Sequence, residues 1–382
     1  MSILISIDFL KGGRTMISKR STFRGCLLGL AVGDAMGYTV DTKTWPQIQE
    51  DYGPHGLLGY DLVNGYAEVT SHTQLAAFTA NGLLLGLTRG IVFGRMAPFV
   101  KYAGVAQQEW AIGQRRYDQP TRNLCWVFKV PELRRRHCTD TRMVEILNRK
   151  MIGSLEEPST KHDTPASIAA AVAAGLFGDP KRMKQQEIDR LGAECVALTH
   201  GHPLAFLPGA VVTHLVSRCL RDQDTPLEEL IEEALAALDD QFGREYRQVK
   251  DIIHLTHQAM SMAKDRSLSA VQAMEKLKCD TGADVLAGAL YAALLWEQDF
   301  DNAMIAAVNH SGRSAAVSCL TGAILGARMG EEALPDFYME GLEVAPALRD
   351  LADDLMQGCP MVRGNKLFDG DWDQKYLHGG LV

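Results

Sequence analysis

Three stretches of this sequence gather the side chains able to do acid, base or anion chemistry. The first is Gly33-Asp34-Ala35-Met36-Gly37-Tyr38-Thr39-Val40-Asp41, and the second runs Glu68-Val69-Thr70-Ser71-His72-Thr73-Gln74-Leu75. The third is Ala307-Val308-Asn309-His310-Ser311-Gly312-Arg313-Ser314-Ala315-Ala316. Between them they carry carboxylates, imidazoles, hydroxyls and a guanidinium. Two shorter stretches, Leu198-Thr199-His200-Gly201-His202-Pro203 and Ala289-Leu290-Tyr291, add further polar groups. Competing chemistry is poorly supported. A Ser71–His72–acid triad has no nucleophile-elbow motif around it. His254 and His257 stand three apart on a helical pattern with no third ligand in view, which reads as surface packing rather than a metal site.

The elements that must position these groups begin with Gly25, Gly29, Gly33 and Gly37, which recur every fourth residue inside an apolar run. At helical spacing they form one stripe without side chains. Each interior glycine costs a helix roughly 1 kcal/mol relative to alanine, so either another backbone or a ligand must lie against that face. Helix-on-helix packing is the simpler of the two.

With 382 residues, 46% hydrophobic and 23% charged, the chain has the composition of an ordinary globular protein with a sizeable core. A net charge of -8 argues against broad binding to nucleic-acid phosphates. The basic run Arg134-Arg135-Arg136-His137 is too short to reverse that and reads as a solvated helix face. Cys26, Cys125, Cys138, Cys195, Cys219, Cys279, Cys319 and Cys359 include no CxxC pair, so reduced thiols in a cytoplasmic protein are expected. No apolar run looks long enough to span a membrane, and the opening segment lacks the features of a signal peptide. Residues 1–18 read as an N-terminal extension, with Met16 a more natural beginning, and 19–382 as one helical domain.

Helical periodicity dominates. The pattern predicts helices over 75–88, 165–177, 183–198, 203–220, 227–238, 246–263, 270–277, 283–296, 300–308, 315–329 and 345–356. Thr225-Pro226 and Ser267 act as start signals for two of them. Alternating strand patterns are nearly absent, and 53–67 reads as an irregular loop. The expected fold is therefore all-α.

In order and spacing, the five chemistry-bearing stretches resemble the ADP-ribosylglycohydrolase family, which includes the dinitrogen-reductase-activating glycohydrolases. The likeness runs from about Phe23 to about Glu343. It implies a single large orthogonal helical bundle with a cleft for ADP-ribose, cutting the bond between the ribose and a modified side chain. Family members hold two magnesium ions with carboxylates from a Thr/Ser-Asp-Asp-Thr element and a Gly-Gly-Asp-x-Asp-Thr element, as hard cations require.

This chain departs from that pattern. Thr70 and Thr73 remain, but Ser71 and His72 stand at the two Asp positions between them. Ser311-Gly312 replaces the glycine pair, Arg313 and Ala315 stand at the second pair of Asp positions, and Ala316 follows. None of the four metal carboxylates is kept, so neither a metal nor another cofactor is expected. Arg313 either puts a guanidinium where a dication's charge would have been, ready for a diphosphate or carboxylate, or pairs with Glu68 or another local acid. The segment that lines the ADP-ribose site in relatives corresponds to Ser159–Ile168 and keeps neither the glycines nor the arginine, leaving Ser154, Lys161 and Ser167 as nearby polar groups.

The resemblance also carries roles to single residues. Asp41 follows the Gly-Asp-Ala-x-Gly motif by four residues, where a carboxylate can act as base toward water or stabilise positive charge on the anomeric carbon; it can equally cap the next turn. Asp34 is read as structural. His200 matches a family Thr-His pair that reaches the ligand, or it caps a helix.

The expected function is hydrolysis of an N- or O-glycosidic bond in an ADP-ribosyl or related ribosyl compound without the dimagnesium centre. Catalysis falls to Asp41, Glu68 and His72, and binding to Ser71, Thr73, His200, His310, Ser311, Gly312 and Arg313. The alternative is an inactive ADP-ribose- or nucleotide-binding or regulatory protein on the same scaffold. The expected partner is a small-molecule or ADP-ribosylated substrate, with no nucleic acid and no membrane.

Overall fold

A computed structural model describes residues 17–94, 97–115, 123–137 and 140–380. Most of the proposed N-terminal extension, together with Cys138, lies outside them. Helices run in chain order as α1 (Lys19–Tyr38), α2 (Trp45–Tyr52), α3 (Ser71–Phe93), α4 (Phe99–Gly113), α5 (Thr141–Asn148) and α6 (Ala170–Phe177). They continue as α7 (Gln185–Ala197), α8 (Pro203–Cys219), α9 (Leu227–Phe242), α10 (Gln248–Lys264), α11 (Ala270–Leu277) and α12 (Gly282–Leu295). The last are α13 (Phe300–Val308), α14 (Ser314–Met329), α15 (Asp336–Glu340), α16 (Ala345–Gln357) and α17 (Gly370–Leu377). Among the described residues β-pairing is confined to two isolated bridges, Val63 with Tyr66 and Val362 with Leu367. The fold is all-α, as the periodicity predicts.

Helices α1, α3, α6, α8, α12 and α14 are buried along most of their lengths and make the core. Their sequences are apolar or small on every face, which is what a helix surrounded by protein requires. Helix α3 is long and apolar enough to cross a membrane by length and composition, contrary to the sequence reading, but 78% of its apolar window is buried inside the protein. Outer helices are amphipathic: α9 buries Leu227, Leu230, Ile231, Ala234, Leu235, Leu238 and Phe242 at intervals of three and four. All seven described cysteines are free and buried.

Helices α2, α4, α5, α15 and α17 escape the periodicity. In α4 the buried face is built from Ala103, Gly104, Ala106, Gln107, Trp110 and Ala111, too small and polar to register as an apolar stripe. The helix expected from Pro165 begins only at Ala170, with turns over the residues before it. The start of α11 is capped by Ser269, not Ser267, in a reciprocal pair with Gln272. The basic run is not a solvated helix face. Pro131–Arg134 forms a single 3₁₀ turn, the Arg134 guanidinium lies over the Phe128 ring, and Arg135 pairs with Glu343.

The glycine stripe of α1 lies directly on the backbone of α14. A methyl group on Gly29 would stand 2.1 Å from the carbonyl oxygen of Gly322, and one on Gly33 would stand 2.0 Å from that of Ser318. Gly25 meets Gly326 in the same way, and the end of the stripe, Gly37, meets Ala315. The Ser318 hydroxyl donates across the seam to the Gly33 carbonyl at 2.6 Å. Because the obstructing atoms are backbone, neither helix can yield without moving whole. Gly29→Ala should therefore destabilise the protein by roughly 3 kcal/mol or more. Gly59→Ala, where nothing lies within 4 Å of the added methyl, serves as control. Equal midpoints for the two variants in urea unfolding would refute the seam.

Candidate functional site

The seam ends where three chain segments meet: the loop after α1, the first turn of α3 and the first turn of α14. Asp34, fully buried near the end of α1, fixes the first two together. One of its oxygens accepts from the Thr70 hydroxyl at 2.6 Å. The other accepts from the Thr70 N–H at 2.8 Å, the Thr73 N–H at 3.0 Å and the Thr73 hydroxyl at 2.6 Å. These are charge-assisted bonds to otherwise orphaned N–H groups at a helix start. Asp34 thus holds the start of α3, and both the N–H and the hydroxyl of Thr73, expected at the ligand, are bonded to it instead.

A cleft of about 250 Å³ opens beside this knot, lined by Asp41, His72, Asp140, Thr141, Arg142, His162, Thr164, Pro165, Ala166 and Arg313. Asp41, His72 and Arg313, drawn from three separate stretches, therefore come together. The Ala315 N–H donates to Asp41 Oδ1 at 3.2 Å, so the carboxylate is pinned to the first turn of α14. Burial raises the Asp41 pKa, and the His72 charge, the Ala315 N–H and the Arg313 charge only partly oppose it. His72 is buried, with Nδ1 lacking any hydrogen-bond partner. Arg313 precedes α14, and its Nε lies 3.5 Å from Asp280, a side chain 72% exposed. That is a weak surface pair.

Other predicted residues lie elsewhere. Glu68 does not line the cleft; its carboxylate sits 3.1 Å from His137 and 3.5 Å from Arg135. Its partners are therefore Arg135 and His137, while Arg313 pairs instead with Asp280. Ser71, the first residue of α3, is buried and does not line the cleft. Ser311 accepts from the Trp45 N–H at 2.8 Å, tying α2 to the loop before α14. Gly312 is a packing glycine, since a methyl there would stand 2.6 Å from the Lys278 carbonyl oxygen. His310 is buried and stitches its own loop, with Nε2 bonded to the Ala307 carbonyl at 3.0 Å and Nδ1 accepting from the Gly312 N–H at 2.9 Å.

Of the second group of lining residues, His162, Thr164, Pro165 and Ala166 fall in the Ser159–Ile168 stretch that the resemblance matches to the ADP-ribose-lining segment, whereas Asp140, Thr141 and Arg142 went unread in the sequence. Asp140, Thr141 and Arg142 stand at the start of α5, and His162, Thr164, Pro165 and Ala166 come from the turns before α6. His200 lies behind them, fully buried and not in the cleft. Its Nε2 is 3.1 Å from the Thr164 hydroxyl and 3.5 Å from Asp140, while Nδ1 is 2.9 Å from both Ser167 and Thr199 hydroxyls. Burial alone would raise the Asp140 pKa. The His200 hydrogen bond, the Met143 N–H and the charges of His200 and His162 outweigh it and hold the group at about 2.

A paired-magnesium centre does not fit these residues. Ser71, His72, Arg313 and Ala315 occupy the positions at which the resemblance places its carboxylates. Of the neighbouring acids, Asp34 already accepts four hydrogen bonds and Asp41 is pinned to Ala315. Magnesium demands a near-octahedral oxygen shell, which a guanidinium and an imidazole do not supply. Among the described residues no group of three or more His, Cys, Asp or Glu side chains is placed to hold a metal ion.

His310 gives this loop a pH dependence. Burial drives its pKa down to about 4, with the Ala307 carbonyl and the Glu275 charge opposing only in part. Between that value and the ordinary 6.5 the unfolded chain binds a proton that the folded chain refuses, so stability falls as pH drops through this window. The gap corresponds to roughly 3 kcal/mol. Wild type should lose about that much more stability than His310→Gln between pH 7 and pH 4, measured by urea unfolding. Parallel losses would show that His310 titrates normally.

A sequence profile of the ADP-ribosylglycohydrolase family matches residues 15–365. An uncharacterized protein from Archaeoglobus fulgidus is 26% identical over 350 residues, covering 88% of this chain and 96% of that protein. A solved structure described as an ADP-ribosylglycohydrolase-related protein complex superposes with a TM-score of 0.52 at 20% identity, covering 89% of this chain and 98% of the other. That likeness shows the same helical fold. With a profile match across nearly its whole length, and with the glycine helix, the Asp34 knot and the small-residue helix α14 in the family's order, the chain belongs to the ADP-ribosylglycohydrolase family.

Proposed function

We propose that the cleft binds a negatively charged ribosyl compound and hydrolyses its N- or O-glycosidic bond without a dimagnesium centre. The observation that carries this reading is the convergence of Asp41, His72 and Arg313 on one cleft. Asp41 is the base. Its raised pKa makes it a better proton acceptor than an exposed aspartate, and its charge stabilises the oxocarbenium-like state at the anomeric carbon. Water adds to that carbon as the glycosidic bond breaks, its proton passes to Asp41, and the leaving group takes a proton from the His72 imidazolium. Arg313 holds the anionic part of the ligand. Its weak tie to exposed Asp280 is cheap to give up.

The second reading is a ribosyl-binding protein that does no chemistry. It is favoured by the placement of Glu68 beside Arg135 and His137, so that of the two carboxylates that could activate water only Asp41 lines the cleft.

Both readings are tested with ADP-ribose binding and with release of ADP-ribose from ADP-ribosylated arginine. Arg313→Ala should weaken ADP-ribose binding about 10- to 100-fold; unchanged affinity removes the anion site. Asp41→Asn should lower the hydrolytic rate about 100- to 10,000-fold while binding persists, and EDTA should leave both unchanged. Tight binding by wild type with no turnover selects the second reading.

A further inference from the structure

Among the described residues five that are not glycine sit at positive φ: Thr42, Asn64, Lys150, Lys278 and Cys279. Three of them adjoin the candidate site. Thr42 follows Asp41, while Lys278 and Cys279 form the turn between α11 and α12 and face the loop that carries Arg313. At Lys278 the backbone has φ 64° and ψ −37°, and the Cys279 N–H closes back onto the Leu277 carbonyl at 2.7 Å. This is the three-residue turn that is rare and strained for an L-residue, and Cys279 prolongs it with φ 51°. Glycine would adopt it freely. The Lys278 side chain is exposed, so its packing does not call for this conformation.

Both strained residues present a carbonyl to the Arg313 loop. The Cys279 carbonyl accepts from the Arg313 N–H at 2.9 Å, and the Lys278 carbonyl lies so close to Gly312 that a methyl there would stand 2.6 Å from its oxygen. A few residues on, the Gly282 N–H donates at 2.8 Å to the carbonyl of Asp163, which stands between the lining residues His162 and Thr164. The turn therefore ties one wall of the cleft to the other. The Arg313 side chain has a weak pair with exposed Asp280, so its backbone decides where the guanidinium starts. We propose that the strained Lys278–Cys279 turn is a positioning device for Arg313, fixing the anion-holding guanidinium at the cleft through its backbone. This rests on the reading of Arg313 above. Strain of this kind persists where the surrounding structure over-determines it, and it concentrates at binding sites. Here the Gly312 contact and a hydrogen bond to each wall supply that constraint. Lys278 acts through Arg313 and is a positioning residue.

The test uses Lys278→Gly, which relieves the turn, beside Lys278→Gln, which removes the same charge and keeps the strain, both in the full chain. Lys278→Gly should raise the urea midpoint, yet quicken hydrogen exchange of the Arg313 amide about 10-fold. In calorimetry it should weaken ADP-ribose binding about 2- to 10-fold, the range for immobilising one long side chain. Lys278→Gln should match wild type in exchange and affinity, and Lys278→Gly should cost no further affinity in an Arg313→Ala background. A merely structural turn would move stability alone, or stability and affinity in the same direction. A lowered urea midpoint, unchanged Arg313 exchange, or an equal affinity loss in Lys278→Gln each overturns the proposal. If exchange is unchanged while Arg313→Ala still weakens ADP-ribose, only the role of the turn falls. If exchange quickens while Arg313→Ala leaves affinity unchanged, the turn positions Arg313 and the anion-holding reading falls.

Discussion

Everything at the cleft depends on two helix backbones in direct contact. Four glycines in α1 together forgo roughly 4 kcal/mol of helix propensity, and Gly322 and Gly326 add to that on the other side. The return is an approach too close for any side chain, with dispersion, Cα–H contacts and the Ser318–Gly33 hydrogen bond along the seam. Such a joint has no soft component. Where α1 ends, the loop bearing Asp41 therefore arrives at the first turn of α14 in one register, and the Ala315 N–H meets the Asp41 carboxylate. The stripe is structural in its contacts and functional in what it aligns.

Two aspartates seven residues apart divide the remaining work. Asp34 is spent on the start of α3, where four donors saturate it and anchor the turn that carries His72. Asp41 keeps one oxygen clear of its single tie and lies in the cleft. The difference comes from position alone. One residue lies inside the helix, facing a threonine pair on the next element, and the other lies beyond the helix end, facing a single backbone N–H.

Much of the fold was legible because helical period survives in sequence. Elements with wide apolar faces, such as α8, α13 and α14, appear within a few residues of their expected bounds. Helix α4 was not legible, because its buried face mixes alanine and glycine with Trp110, Glu109 and a glutamine that bonds Thr79, and Trp110 is its one large apolar side chain. In the candidate site, Asp41, His72 and Arg313 could be named because each sits in a motif. Thr73, His310 and Gly312 sit in the same motifs and point inward instead, a distinction that depends on side-chain direction and carries no spacing signal. Asp140 and Arg142 stand at the start of the short helix α5, His162 and Thr164 lie in the irregular stretch before α6, and only the tertiary fold brings them together. His162 and Thr164 had a trace in the Ser159–Ile168 stretch matched by resemblance, and the buried Thr199-His200 pair was another, since a histidine that leaves solvent needs partners somewhere.

The charge arrangement of the cleft bears on what it suits. Its lining offers two carboxylates, Asp41 and Asp140, and two guanidiniums, Arg313 and Arg142, with His72 and His162 among them. Carboxylates alone would draw cations and repel phosphate. The two guanidiniums reverse that bias locally. A ligand that is anionic at one end and hydroxylated at the other offers partners to both sets, whereas a bare dication meets the carboxylates but is repelled by the guanidiniums. Arg313, the residue before α14, supplies a positive charge fixed at the end of the α1–α14 seam.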